Sequence, residues 1–315
     1  MGEFLASGLQ LVMGKSSQVI GPNWPEKGQK LAALDQEILS RIRTLWVVAV
    51  GITLTWAIAS KASAEAIRQD GLFHLHLKDP QNKLGEKGEL FFQNLRTAVA
   101  GWNEVIRISS PLVIEVQIVR LPGLRLDGAS KTSRLIAVEG NRKVYEESAA
   151  YKVRTGQSVN PNRPDLLIRV NPDYLQTGVW MDPDPLNRNQ PVPRDRVDLV
   201  SLLMHELGHA FGFHSFRDLK TGYLPKDYMS QLDQLTIKKD GRYFFVGSNA
   251  QGVFGGLVPM TSAMGSQNFS HYGDPSDSGS WLDGLMGGVR IYFGRRYVIG
   301  ALDLAILRDL GLPVK

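Results

Sequence analysis

The sequence predicts an α+β fold, and three consecutive segments carry this prediction. Leu72–Leu77 alternates apolar and polar side chains, which is typical of a half-buried strand. Leu90–Ile108 places its apolar residues at helical spacing, and Leu112–Leu121 returns to a strand pattern. A strand, a helix and a strand in this order indicate a mixed sheet with helices packed on it.

The middle of the chain predicts short elements joined by long loops. The polar stretch 122–164 is typical of hairpins and loops, and Leu166–Val170 predicts a short buried strand. Prolines are dense between residues 171 and 194. Because proline lacks a backbone N–H and restricts its neighbour, this segment predicts a long surface loop.

A second helix is predicted over Val197–Phe211. Asp195 is the expected N-cap, with Asp198 in the favourable first turn. Gly212 is the expected stop, because glycine adopts left-handed backbone without strain.

Fewer regular elements are predicted after Gly212. Asp240-Gly241 predicts the turn of a hairpin, and Ile299–Leu310 predicts a closing amphipathic helix. We therefore expect residues 65–315 to form one domain, with an N-terminal lobe over 65–211 and a loop-rich C-terminal lobe over 212–315.

Residues 1–64 predict an N-terminal extension and a signal peptide. Arg41 and Arg43 precede the apolar run Leu45–Ala59, and the small residues that follow suggest cleavage after Ala64. Because a membrane-spanning helix needs about 20 apolar residues, we expect cleavage, no stable membrane association afterwards, and a secreted or periplasmic protein. An uncleaved, membrane-anchored form is the alternative.

Composition excludes several classes of function. The formal net charge of +5 comes without a basic run, so we expect no nucleic-acid partner. The chain has no Cys, which excludes thiolate zinc sites and cysteine nucleophiles. Any metal must therefore be held by His and carboxylate side chains.

The strongest motif is H-E-x-x-H, formed by His205, Glu206 and His209 within the second predicted helix. Two histidines four residues apart lie about one turn, or roughly 6 Å, from each other on one helix face. Both imidazoles can then bind one Zn²⁺, with Glu206 placed as general base for a water molecule that the zinc activates.

A catalytic zinc needs a third protein ligand and an open position. A later Glu is excluded, because Glu206 is the last Glu in the chain. From the residues alone, His214, His271 and an aspartate such as Asp218 remain alternatives.

The segment His205–Gly212 resembles the start of the metzincin zinc-protease signature, in which a third His follows the Gly turn after three residues. Ser215 occupies that position here. In the leishmanolysin-like branch, the third His comes much later, in a His-aromatic context before a Met-containing turn. Ser270-His271-Tyr272 and Gly284–Gly288 are similar to that arrangement.

The resemblance implies a metzincin-like, two-lobed zinc protease of the bacterial exported type. His205, His209 and His271 would bind one catalytic Zn²⁺, and Met286 would form an apolar floor beneath it. The expected function is an exported zinc endopeptidase with a polypeptide substrate. The sequence leaves the oligomeric state open, with a monomer as the default. The alternative is a non-catalytic exported binding protein with a structural zinc site.

Other features carry weaker predictions. The strand Leu166–Val170 is the expected edge that aligns an extended peptide, and the cleft is expected between the two lobes. Whether residues 65–90 shield the cleft as a pro-segment is left open. Further candidates are a polar strand face at His74 and His76, a Ca²⁺ site at Asp274, Asp277 and Asp283, and oxyanion stabilisation by Tyr272 or Tyr292.

Overall fold

The computed structural model describes residues 65–120, 122–123, 125–261, 269–273, 284–288 and 291–315. These residues belong to one compact unit, Ala62–Lys315. The predicted signal peptide and the three aspartates of the predicted Ca²⁺ site lie outside the described residues. No helix among the described residues is long and apolar enough to cross a membrane.

The described elements mix strands and helices, which confirms the α+β class. The strands are β1 (Glu65–Asp70), β2 (Phe73–Lys78), β3 (Leu112–Ile118), β4 (Leu126–Ser130), β5 (Ser133–Glu139), β6 (Arg142–Glu147), β7 (Leu166–Val170), β8 (Val179–Trp180), β9 (Val197–Asp198), β10 (Tyr228–Ser230), β11 (Thr236–Lys239), β12 (Arg242–Phe245) and β13 (Val258–Pro259). The α-helices are α1 (Gly88–Val105), α2 (Ser148–Thr155), α3 (Pro172–Thr177), α4 (Leu199–Ala210), α5 (Gln231–Gln234), α6 (Ser248–Phe254) and α7 (Ala301–Asp309).

The main sheet has five strands in the order β1-β2-β3-β7-β4. Strands β2, β3 and β7 are parallel, and the edge strands β1 and β4 are antiparallel to their neighbours. The sheet is therefore mixed, as predicted. Its central strands bury apolar residues such as Leu75, Ile114 and Ile168.

Helices α1 and α4 pack together beside this sheet. Phe91, Leu95 and Trp102 form the buried face of α1, at the spacing that the helical pattern requires. The indole Nε1 of Trp102 donates to the carbonyl oxygen of Met204 in α4, at 2.9 Å. This hydrogen bond satisfies the polar end of a buried aromatic side chain and holds the two helices together.

Part of the segment 65–90 belongs to this core. Phe73 and Leu77 of β2 are buried in it, and β2 lies between β1 and β3 in the sheet. β2 therefore belongs to the fold and does not cover the cleft as a pro-segment. His74 and His76 lie on the less buried face of β2, as predicted.

The predicted sheet edge was wrong. Leu166–Val170 is a strand with the predicted bounds, but β7 lies between β3 and β4. The edge is β4, within the stretch where we expected only hairpins and loops. That stretch contains the predicted hairpin, formed by β5 and β6, and also the unpredicted helix α2.

The predicted loop 171–194 contains the short helix α3 and the strand β8. Asn171 caps α3 by accepting from the amide of Asp173 at 2.9 Å. Pro172 occupies the first turn, where a missing N–H costs nothing. The predicted hairpin at Asp240-Gly241 and the closing helix α7 are confirmed.

Candidate metal centre

Helix α4 carries the H-E-x-x-H residues and is buried along its whole length. Its N-cap is Asp198, whose carboxylate accepts from the amide of Ser201 at 3.0 Å. The prediction of Asp195 as cap was wrong, because Val197 and Asp198 first pair as strand β9 with β8. The buried carboxylate of Asp198 also receives the guanidinium of Arg188 at 2.5 Å.

The helix ends where the sequence predicts. Its last residue is Ala210, and Gly212 has φ 135, a backbone conformation that glycine tolerates best. A Cβ at Gly212 would lie 2.9 Å from Leu310 Cδ1. An added Cβ would displace only the end of the Leu310 side chain, so the backbone conformation is what favours glycine at this position.

His271 reaches α4 from a distant part of the sequence through backbone pairing on both sides. The Thr261 amide donates to the His271 carbonyl at 3.0 Å, and the Gly288 amide donates to the Tyr272 carbonyl at 2.8 Å. Met260 and Gly287 form isolated bridges with Tyr272. These bridges fix the chain around His271 beside the Met-containing turn 284–288.

The three histidines form a compact buried cluster. His205 and His209 are each 6% exposed and His271 is 1% exposed. Candidate ligand atoms of the three side chains lie within 4.8 Å of one another. The Nε2 atoms of His205 and His271 are 3.1 Å apart. Among the described residues, this is the one group of three or more potential ligands with a metal-binding geometry.

Backbone carbonyls fix the orientation of two of these imidazoles. His205 Nδ1 lies 2.9 Å from the Leu285 carbonyl, and His209 Nδ1 lies 2.7 Å from the Phe213 carbonyl. A carbonyl only accepts, so each Nδ1 must carry the proton. Each Nε2 then has a lone pair directed into the cluster, which is the arrangement of metal-binding histidines.

The electrostatics of the cluster also fit a cation. Burial lowers the pKa of His205 to about 4 and that of His209 to about 3. Both are therefore neutral near pH 7, the form that binds metal. His209 Nε2 is buried without a hydrogen-bond partner in the described part of the chain. Because a buried polar atom of this kind needs a partner, the cluster fits a bound metal ion.

Glu206 lies between α4 and the edge strand β4. It is buried, and its carboxylate accepts from the backbone amide of Gly128. Burial raises the pKa of Glu206 well above its usual value, and the nearby negative charge of Asp127 raises it further. Its Oε2 has no hydrogen-bond partner among the described residues. Glu206 thus combines a high proton affinity with an unused oxygen.

The close contact between β4 and α4 depends on Gly128. A Cβ at this position would lie 2.5 Å from Glu206 Cβ and 2.9 Å from the Glu206 carbonyl oxygen. Only glycine lets the strand pass this close to the helix.

A cavity of about 490 Å³ opens beside the cluster. One wall is the segment Asp127–Lys131 of β4 and the residue after it, the other is Phe213–Arg217, and His209 lies on its lining. The cavity is therefore a cleft that runs along the sheet edge.

Met286 packs directly under α4. It is fully buried, and a Cβ at Gly208 would lie 2.7 Å from its Sδ. Because Gly208 immediately precedes His209, this methionine forms apolar packing beneath the histidine-bearing helix.

The other sequence candidates lie elsewhere. His214 lines the cleft with Nδ1 3.5 Å from Glu147 Oε1, and it is not a member of the histidine cluster. Asp218 is exposed and accepts from Thr221 in its own turn. Tyr272 is fully buried and its hydroxyl donates to Asp303 at 3.0 Å, so this hydroxyl is not available to an oxyanion. Tyr292 is more than half exposed.

Two contributions to the site escaped the sequence patterns. Gly128 was hidden in the polar segment LDGAS, which carries no strand periodicity. Asp303 was only a polar position of an amphipathic helix, with no local signal for its buried contacts.

Comparison with known proteins adds no relative: no family model, curated protein or solved structure matches this chain.

Proposed function

We propose that the chain is a zinc-dependent endopeptidase. The observation that carries this proposal is the convergence of His205, His209 and His271, all buried, with His209 on the lining of an open cleft. Glu206, which follows His205 on the same helix, brings a buried carboxylate to this region. Three imidazoles of this kind are the ligand set of a catalytic zinc with an open fourth position.

Zn²⁺ bound at this cluster supplies a Lewis acid that polarises the peptide carbonyl and lowers the pKa of water. The remaining chemistry belongs to Glu206. Its Oε2, which has no hydrogen-bond partner among the described residues, would accept the proton of the attacking water and then donate it to the leaving amine.

The outer edge of β4 supports an extended polypeptide as the substrate. The Asn171 amide donates to the Arg125 carbonyl at 3.0 Å. In an antiparallel pair only every second residue hydrogen-bonds to its partner strand, so the N–H and C=O groups of Leu126, Gly128 and Ser130 point away from β7. The amides of Gly128 and Ser130 already donate to Glu206 and Glu147.

The carbonyls on this edge are then the groups that would accept from the substrate's N–H groups. Binding by strand addition of this kind selects extended peptides.

We further propose that the enzyme is a metzincin-like protease. Three features support this: the chain turn at Gly212, Met286 packed against Gly208, and a third histidine that follows a long insertion. The arginine-flanked apolar run at Leu45–Ala59 supports export.

The test is hydrolysis of casein by the Glu206→Gln variant, with the exposed Glu104→Gln as matched control. We expect the wild type and the control to cleave casein in a chelator-sensitive manner. Glu206→Gln should retain one zinc and lose about 10²–10⁴-fold in rate.

Undiminished hydrolysis by Glu206→Gln would contradict the assigned role. Zinc without chelator-sensitive hydrolysis in the wild type would favour a structural metal in a binding protein.

A further inference from the structure

Asp303 in α7 is a buried carboxylate that binds four hydrogen-bond donors. Its Oδ1 accepts from the Tyr272 hydroxyl and the Met286 amide, both at 3.0 Å. Its Oδ2 accepts from the Leu285 amide at 3.0 Å and the Gly300 amide at 2.7 Å. Asp303 has no exposed surface. A carboxylate only accepts hydrogen bonds, so each of the four donors has an acceptor oxygen.

Two of these donors, the amides of Leu285 and Met286, belong to the chain segment that contacts the first histidine of the cluster. The peptide group between Leu285 and Met286 donates its N–H to Asp303, and its carbonyl oxygen lies 2.9 Å from His205 Nδ1. One rigid peptide plane therefore joins the carboxylate to the imidazole. Hydrogen bonds in such a chain polarise and strengthen one another.

A third donor connects Asp303 to the last histidine. Tyr272 follows His271 directly, and its hydroxyl is anchored on Asp303. The Tyr272 amide also donates to the Met286 carbonyl at 3.3 Å. The two chain segments that bring His271 and Leu285 to the cluster thus meet at the same carboxylate.

We propose that Asp303 is a positioning residue for the metal centre, holding His205 and His271 in the arrangement that binds the ion. The proposal rests on the zinc site proposed above. Asp303 acts through the Leu285–Met286 peptide and through Tyr272, and does not itself touch the metal.

Helix α7 offers a matched control in Asp309. Its Oδ1 accepts from the amide and side chain of Asn249 at 2.9 and 2.8 Å, and its Oδ2 accepts from the Ala250 amide at 2.8 Å. These donors belong to the start of α6, and none of them contacts the histidine cluster. Asp309 therefore performs similar anchoring on the same helix without a connection to the metal centre.

The experiment compares Asp303→Asn with Asp309→Asn. In Asp303→Asn an NH₂ group replaces one carboxylate oxygen and faces donors, so two hydrogen bonds are lost. The zinc affinity of each folded apo-protein would be measured by competition with a chromophoric chelator. Folding would be checked by circular dichroism and urea unfolding.

We expect both variants to unfold at lower urea, and only Asp303→Asn to lose zinc affinity, by about 10–100-fold, as for other outer partners of metal ligands.

Tyr272→Phe keeps the experiment decisive if Asp303→Asn fails to fold. It removes one of the four hydrogen bonds and should weaken zinc binding by about 5-fold, the factor that one ordinary hydrogen bond supplies.

Unchanged zinc affinity in Asp303→Asn or Tyr272→Phe, or an equal loss in Asp309→Asn, would overturn the positioning role alone. A wild type that binds no zinc would overturn the metal centre itself.

Discussion

Gly128→Ala adds one methyl group where the edge strand β4 contacts Glu206, the proposed general base. The added Cβ would lie 2.5 Å from Glu206 Cβ, whereas carbon atoms pack at about 3.5–4.0 Å. Strand β4 or helix α4 must therefore move by about 1 Å. Overpacking of this kind costs about 1–3 kcal/mol of folding free energy, and a misplacement of about 1 Å at a reacting group costs about 100-fold in rate.

The assay combines urea unfolding with the kcat/KM of casein cleavage. We expect Gly128→Ala to fold with lower stability, to keep its zinc, and to lose about 100-fold in kcat/KM. The control is Gly252→Ala in α6, where an added Cβ meets no atom within 4 Å, so that stability is unchanged or rises by up to about 1 kcal/mol. If Gly128→Ala were as stable and active as the wild type, the close approach of β4 to Glu206 would be refuted.

Three further predictions follow from the same contacts. His271→Ala should weaken zinc binding by more than about 100-fold and His214→Ala should leave it nearly unchanged, as measured by chelator competition; the opposite ranking would make His214 the ligand. Burial raises the pKa of Glu147 to about 8. The folded state therefore keeps a proton that the unfolded state releases near pH 4.5. Wild-type stability should then fall by a few kcal/mol as pH rises from about 4.5 to 8. Glu147→Gln should flatten this decline in urea unfolding, and an unchanged slope would show that Glu147 is not its source. Asp198→Ala removes the α4 cap and the carboxylate that pairs with the half-buried Arg188, and should cost about 1–3 kcal/mol. The exposed Asp195→Ala should stay within about 0.5 kcal/mol, and equal effects on thermal unfolding would contradict the cap assignment.

Local patterns predicted the elements that depend on local physics. The helical spacing placed His205 and His209 on one face of a single helix, and the Gly212 stop followed from the backbone freedom of glycine. The hairpin at Asp240-Gly241 was predictable because this dipeptide favours the required turn, with φ 49 and φ 80 in the structure.

Long-range contacts set what the patterns missed. β4 is a strand only because it pairs with β7, about forty residues later, and its own residues show no alternation. Asp195 and Asp198 were equally good caps by residue type, and the pairing of β9 with β8 decided between them.

Asp303 shows the same limit within the candidate site, since three of its four donors lie 17 to 31 positions away in the chain and only the Gly300 amide is local. The sequence spacing predicted His205 and His209 as metal ligands. His271 was predicted as the third ligand only through a family resemblance.

An anomalous difference map recorded at the zinc edge, from crystals of the protein, tests the central claim most directly. The proposed function predicts a single strong peak within bonding distance, about 2.0–2.1 Å, of imidazole nitrogens of His205, His209 and His271, with no fourth protein ligand. A map without a peak at this cluster would contradict a catalytic zinc centre. A peak whose coordination is completed by a fourth protein side chain would contradict it as well.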